Sequence, residues 1–154
     1  MYDRILVATD GSEPAQAAVR HAVGLAAATD ATLAALYVVD TETSWLTVSK
    51  ADVKQTLRRV GERAGENVLA DVAARASDGR VPVETALREG VPDEEILVCA
   101  DEIGADIVVL GTHGRNGVSR RLLGSTTERV ARDANTPVLT VHTDDGPRVT
   151  TQCE

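Results

Sequence analysis

The sequence predicts one α/β domain built on a parallel sheet with helices on both faces. The chain has 154 residues, a length typical of one domain that buries about 70% of its unfolded surface. Short apolar runs alternate with segments of helical period in the order βαβαβαβαβ. The runs are nearly continuous in apolar residues, which is typical of strands buried on both faces. Elements in this order form parallel sheets through right-handed crossovers.

The first two strands and the first helix are well marked. Residues 4–9 and 32–39 are the apolar runs. Ser12 is placed to cap the intervening helix, because a serine hydroxyl accepts a hydrogen bond from the first turn. The spacing i, i+3, i+4, i+7 predicts a buried face of Ala15, Ala18, Val19, Ala22, Val23 and Ala26.

A long helix over about residues 51–77 precedes a third strand at 81–87. Pro92 then opens a short helix, because proline is well placed at a first helical position. The predicted buried stripe of the long helix is Leu57, Val60, Ala64, Val68 and Val72, and that of the short helix is Ile96, Ala100 and Ile103.

The last elements are a strand at 106–110, a helix at 125–134 and a strand at 138–142. The domain therefore spans residues 1–143. Residues 144–154 are polar, and we expect them to form a mobile tail.

The charge balance limits the classes of partner. The net charge is −8, and the 16 basic residues include only two lysines, Lys50 and Lys54. A strongly acidic chain is disfavoured as a nucleic-acid binder. Acidity with little lysine favours a halophilic source, in which high salt screens self-repulsion. An acidic protein from a GC-rich genome is the alternative.

The chain shows no apolar run of 18 residues and no signal-peptide pattern, so we expect no membrane association and a cytoplasmic location. Cys99 and Cys153 lie far apart in sequence and lack metal-ligand spacing. Cys99 falls within a predicted helix, where we expect a buried, small apolar residue.

The segment 111–125 carries the strongest functional signal. Gly111 and Gly114 follow a strand, and Gly124 and Ser125 precede a helix, in the spacing G-x2-G-x9-G-S. Glycines let main-chain amides approach a ligand, and a helix N-terminus favours anions. The pattern therefore predicts phosphate binding. It lacks the lysine of a P-loop and the glycine spacing of dinucleotide-binding folds.

This spacing resembles the ATP-binding motif of the universal stress protein family. Residues 5–12, 36–40 and 136–141 resemble the first, second and last strands of that family, so the resemblance covers about residues 2–142. It implies a flavodoxin-like sheet of order 3-2-1-4-5. It also implies ATP or another adenine nucleotide as ligand, and a homodimer that forms through the last strand, 138–142.

The family motif implies a place for each part of the nucleotide. Gly111 would lie beside the ribose, and Arg115 could reach a terminal phosphate. The main chain near Ala8 and Thr9, together with Val38, would contact the nucleoside, with Val38 pairing with adenine. Residues implied to hold the triphosphate are Gly114, Gly124, Ser125 and the amide of Thr126.

Three of these signals have plainer interpretations that stay open. Gly124 and Ser125 could form an ordinary helix start, with serine as the N-cap. Asp10 could cap a turn rather than lie near the triphosphate or ligate Mg²⁺. His113 lies inside the glycine segment, and a packing or ligand-neighbour role is favoured over that of a general base.

The resemblance implies a regulatory or protective role in the stress response. The chain shows no dedicated catalytic constellation, so we do not expect an enzyme. Two alternatives remain open. One is a slow ATPase or autophosphorylating enzyme that uses Mg²⁺ on Asp10 and the hydroxyl of Ser125 or Thr126. The other is an interaction module that binds no nucleotide.

Overall fold

The computed structural model describes residues 1–41, 51–113 and 123–143. Strands and helices alternate along the chain, as the sequence predicted. The elements are β1 (Arg4–Ala8), α1 (Glu13–Thr29), β2 (Thr32–Asp40), α2 (Ala51–Asp78), β3 (Val83–Gly90), α3 (Pro92–Ile103), β4 (Ile107–Gly111), α4 (Ser125–Asp133) and β5 (Val138–Val141).

The five strands form one parallel sheet in the order β3-β2-β1-β4-β5, which confirms the predicted order. β1 lies at the centre, with Val7 opposite both Ala35 of β2 and Val109 of β4. Among the strands that the structure describes, β3 pairs with β2 alone and β5 pairs with β4 alone, so these two strands form the edges of the sheet.

Each face of the sheet has its own apolar core. Ile5 and Val7 of β1 pack on the face covered by α1 and α2, whereas Leu6 packs on the face covered by α3 and α4. This alternation follows from the period of two in a strand. The predicted inward residues Ile96 and Ala100 are buried against the second face, as expected.

The buried stripe predicted for α2 is wrong at Val60, whose side chain is 63% exposed. The helix is turned so that two glycines face the sheet. A Cβ added at Gly65 would lie 2.4 Å from a methyl group of Leu87, and one added at Gly61 would lie 2.8 Å from a methyl group of Val39. Glycine was not counted in the apolar pattern, so the sheet-facing side of α2 was misplaced.

The third strand begins and ends later than predicted, since β3 runs from Val83 to Gly90. Its last pair, Asp40 with Gly90, extends the sheet at the carboxyl ends of the strands, where the helices begin. None of the helices in the described segments combines the length and apolarity that are needed to cross a bilayer.

Candidate functional site

The order of the strands reverses direction between β1 and β4. The chain leaves β1 for α1 on one face of the sheet and leaves β4 for α4 on the other face. A crevice forms at such a switch point, beyond the carboxyl ends of the strands. Asp10 and Gly111, which are remote in sequence, follow and end these two neighbouring strands.

The exit from β1 is a tight turn held by its own side chains. The Thr9 N–H donates to the Leu36 carbonyl at 2.9 Å, and the Thr9 hydroxyl accepts from the Gly11 N–H at 3.2 Å. A carboxylate oxygen of Asp10 accepts from the Ser12 N–H at 2.9 Å. Asp10 therefore caps this turn, as the plainer interpretation proposed. The hydrogen bond from Ser12 holds its carboxylate at the mouth of the crevice.

Ser12 caps α1 as predicted, with its hydroxyl 3.4 Å from the Ala15 amide nitrogen. The same helix start lies directly against Gly111. A Cβ added at Gly111 would lie 2.6 Å from the carbonyl carbon of Pro14 and 2.9 Å from the Ala15 nitrogen. These neighbours are backbone atoms that cannot rotate away, so only glycine lets β4 and α1 approach this closely.

Two hydrogen bonds join the end of β4 to the start of α4. The Gly124 N–H donates to the Thr112 carbonyl at 2.7 Å, and the Thr127 hydroxyl donates to the Gly111 carbonyl at 2.8 Å. The hydroxyl of Thr112 lies 2.8 Å from Nδ1 of His113. The side chains of Thr112 and Thr127 are buried.

Neither threonine was predicted from the sequence as a site residue. The available signal was the position of Thr127 three residues before Val130, on the buried side of a short helix. A hydroxyl that faces a core needs a hydrogen-bond partner, and the backbone carbonyl of a neighbouring strand supplies one.

The N-terminus of α4 opens at the crevice. Its N-cap is Gly124, which makes no side-chain capping bond, so the interpretation of Ser125 as the N-cap is wrong. Ser125 is instead the first helical residue, and it is exposed, while Thr126 is half-buried. The first amides of a helix have no intrahelical acceptor, so they are available to bind an anion.

Charge distinguishes α4 from the other helices that begin at this edge. Glu13 lies in the first turn of α1 and Asp52 in that of α2. Three carboxylates lie in the first turn of α3, at Asp93, Glu94 and Glu95. The first three residues of α4 are hydroxyl-bearing, and its first-turn acid, Glu128, follows them at the fourth position of the helix. Carboxylates at a helix start repel other anions, so α4 presents the most favourable of these N-termini to phosphate.

The main chain of Val38 faces the same crevice. The Leu36 carbonyl points toward β1, where it accepts from Thr9. Backbone groups alternate along a strand, so those of Val38 also point toward the β1 side. The pairs between β1 and β2 end at Ala8 and Leu36, two residues before Val38. Its main-chain groups therefore face the space beyond the end of β1.

Gly114 and Arg115 lie outside the described residues, as does the tail 144–154. In the part of the chain that the structure describes, no group of three or more histidine, cysteine or acidic side chains could hold a metal. A metal at Asp10 would consequently need most of its ligands from elsewhere, such as phosphate and water.

Cys99 is buried in α3, as predicted, with a side chain that is 3% exposed. Burial raises the pKa of its thiol, so the thiol is protonated at neutral pH. This cysteine is an apolar packing residue outside the crevice.

A sequence profile of the Universal stress protein family matches residues 1–142. The chain is 38% identical over 149 residues to universal stress protein MJ0531 of Methanocaldococcus jannaschii, with 92% of this chain and 82% of that protein covered. It superimposes on the structure of MJ0577 from the same organism with a TM-score of 0.84 at 29% identity, covering 95% and 99% of the two chains. A universal stress protein solved in complex with cAMP matches with a TM-score of 0.71 at 32% identity, covering 92% and 98%.

Proposed function

Because the chain belongs to the universal stress protein family, we propose that it binds ATP or another adenine nucleotide in the crevice between β1 and β4. The observation that carries the proposal is the open start of α4, where Gly124 leaves the first-turn amides uncapped and no acid precedes Glu128. A related protein of 32% identity has been solved with an adenine nucleotide, cAMP.

The phosphates would bind at the start of α4. Ser125 offers an exposed hydroxyl and an amide, and Thr126 offers a further main-chain donor. The Gly124 N–H already donates to the Thr112 carbonyl, so Gly124 would contribute by leaving the helix start free of a side chain. The sequence motif adds Gly114, and Arg115 would reach the terminal phosphate. Gly111 would lie beside the ribose and meet it through its main chain, because the start of α1 fills the space that a side chain would take.

The nucleoside would lie across the ends of β1 and β2. The main chain of Val38 faces the space beyond Ala8, which suits hydrogen bonds to the edge of adenine. Ala8 and Thr9 are buried at the end of β1 and would form the floor of this pocket. Recognition by the backbone explains why the sequence shows no side-chain signature for adenine.

Mg²⁺ would accompany the nucleotide, with Asp10 as its protein ligand. A hard cation of this kind uses carboxylate, phosphate and water oxygens. The position of Asp10 at the mouth of the crevice supports this role. A single carboxylate supports binding of a metal–nucleotide complex rather than a resident metal.

The protein would form a homodimer through the last strand predicted from the sequence, residues 138–142, which contains β5. The carbonyl groups of Pro137 and Val141 accept hydrogen bonds from β4, so alternation points the backbone groups of Thr140 away from the sheet. All four side chains of β5 are only half-buried. A two-fold contact through this edge would pair the backbone groups and cover the side chains.

We propose a regulatory or protective role in stress, in the cytoplasm of a halophile, with the nucleotide as a signal or stabiliser. Denaturing the purified protein and analysing the supernatant tests the ligand directly. Released adenine nucleotide supports the proposal, whereas a supernatant without nucleotide, together with no ATP binding by titration, favours an interaction module. Incubation with labelled ATP separates a binder from an ATPase or autophosphorylating enzyme, because a binder returns intact ATP and unlabelled protein.

A further inference from the structure

We infer that Thr127 is a positioning residue that holds the start of α4 in register with the end of β4, and so sets affinity for the phosphates of the ligand but not for its nucleoside. This inference rests on the proposed function. Thr127 is the third residue of α4, and its side chain is 6% exposed. Its hydroxyl donates to the Gly111 carbonyl at 2.8 Å.

The acceptor of this bond is itself tightly held. Gly111 contacts the backbone of Pro14 and Ala15 so closely that no Cβ fits. Gly111 also pairs with Val141 of β5. The hydrogen bond from Thr127 to this carbonyl therefore holds α4 against the end of β4, which is itself packed tightly on α1.

The hydrogen bond from Thr127 to Gly111 controls the position of the proposed phosphate donors because they belong to the same turn of α4. Thr127 follows Ser125 and Thr126, whose groups are the proposed donors, within the same helical turn. A shift of a few tenths of an ångström in this turn would move every one of these donors together. Hydrogen bonds weaken steeply with distance and angle, so phosphate affinity would fall.

A second hydrogen bond, made by the N-cap of α4, also fixes the position of this turn. The Gly124 N–H donates to the Thr112 carbonyl at 2.7 Å, one residue beyond the acceptor of Thr127. Two consecutive carbonyls at the end of β4 thus hold the N-cap and the third residue of α4. Without the Thr127 hydroxyl, the helix start would lose one of its two described hydrogen bonds to the end of β4, and its first turn could shift about the remaining bond at the N-cap.

The test compares Thr127→Val, which keeps the shape but removes the donor, with Thr127→Ser, which keeps the donor. Affinities for ATP and for adenosine are measured by calorimetric titration in the same buffer. For Thr127→Val we expect the ATP Kd to rise at least fivefold and the adenosine Kd to stay within twofold of wild type. Thr127→Ser should restore ATP affinity to within twofold of wild type.

Hydrogen exchange of the ligand-free protein provides a readout that does not depend on the nucleotide. The amides of Gly124 and Glu128, which donate to the Thr112 and Gly124 carbonyls, should exchange faster in Thr127→Val and at the wild-type rate in Thr127→Ser. Unchanged ATP affinity and unchanged exchange in Thr127→Val, or equal losses for ATP and adenosine, would overturn the inference while leaving the proposed function intact. A wild-type protein that binds neither ligand would overturn the proposed function itself.

Discussion

The amide of Gly124 donates a hydrogen bond to the carbonyl of Thr112 at 2.7 Å, so the two halves of the glycine motif meet at one point. Gly111 ends β4 immediately before this bond, and Ser125 begins α4 immediately after it. Gly111 and Gly124, the two glycines of the motif that lie within the described residues, are thereby brought together where β4 ends and α4 begins.

The packing of α2 makes a prediction about stability. Gly65→Ala should destabilise the fold by about 1–3 kcal/mol, because the new methyl group would overlap Leu87 and the ring of Tyr37. Gly24→Ala is the matched control, since a Cβ at Gly24 has no neighbour within 4 Å. It should stabilise the fold by about 0.4–1 kcal/mol. Urea unfolding measures both, and equal effects of the two substitutions would show that α2 does not pack as described.

Asp106 should contribute to the pH dependence of stability. Its carboxylate accepts from the N–H groups of Asp3 and Arg4 at 2.8 and 2.9 Å, which lowers its pKa. Because the folded pKa lies below the unfolded value of about 3.9, this contribution is present above that value and is lost as the pH falls through the folded pKa.

Urea unfolding at pH 6 and pH 3 measures this effect. Asp106→Asn should lose less stability on acidification than wild type, because it lacks the carboxylate. Asp71→Asn, which changes an exposed carboxylate on α2, should respond to acid as wild type does. A steeper loss in Asp106→Asn than in wild type would show that the backbone bonds do not favour the ionised form.

The net charge of −8 makes a prediction about salt. Thermal stability should rise from low salt to molar KCl, as self-repulsion is screened. A variant with Asp71, Asp78 and Asp101 changed to asparagine should melt higher than wild type at low salt and respond less to KCl. A melting temperature that stays flat for wild type would rule out the halophilic interpretation.

The edge at β5 makes a prediction about assembly. Thr140→Pro removes an N–H that points away from β4, so it should favour the monomer while leaving the sheet intact. Thr140→Val keeps that N–H and should remain dimeric. Light scattering at micromolar concentration distinguishes the two states, and a monomeric wild-type protein would refute the proposed dimer.

The sequence predicted the element order well because its signals are local. Apolar runs mark β1, β2 and β4, and Ser12 marks the start of α1. Long-range contacts explain the failures. Val60 was predicted to be buried because the apolar period was counted without Gly61 and Gly65, whose role depends on Val39 and Leu87 of distant strands.

In the candidate site too, local signals could be identified from the sequence and long-range contacts could not. The glycines and Ser125 could be identified from their spacing, and the resemblance ordered the strands. The role of Thr127 could not be predicted, because its hydroxyl donates to a backbone carbonyl of β4. Backbone acceptors leave no trace in the sequence. The start of α4 at Ser125 was predicted correctly, and the alternative that Ser125 is the N-cap is excluded because Gly124 holds that position with an extended backbone.

The central claim is that the start of α4 holds the phosphates of an adenine nucleotide. Ser125→Glu places a carboxylate in that position. It should keep or slightly raise stability, because a negative charge at a helix N-terminus contributes about 0.3–1 kcal/mol. The same charge should repel the triphosphate. Ser125→Ala loses one hydroxyl but keeps the amides, so its effect should be smaller. Ala131→Glu, an exposed site on the same helix, adds an equal charge about 9 Å along its axis.

Calorimetric titration with ATP and Mg²⁺, paired with a thermal melt of each variant, tests this claim most directly. We predict that wild type and Ala131→Glu bind ATP with similar affinity. Ser125→Glu should lose at least tenfold in affinity, or about 1.4 kcal/mol, with no loss of melting temperature. Equal ATP affinity in wild type and Ser125→Glu would contradict the account, because the phosphates would then not lie at the start of α4.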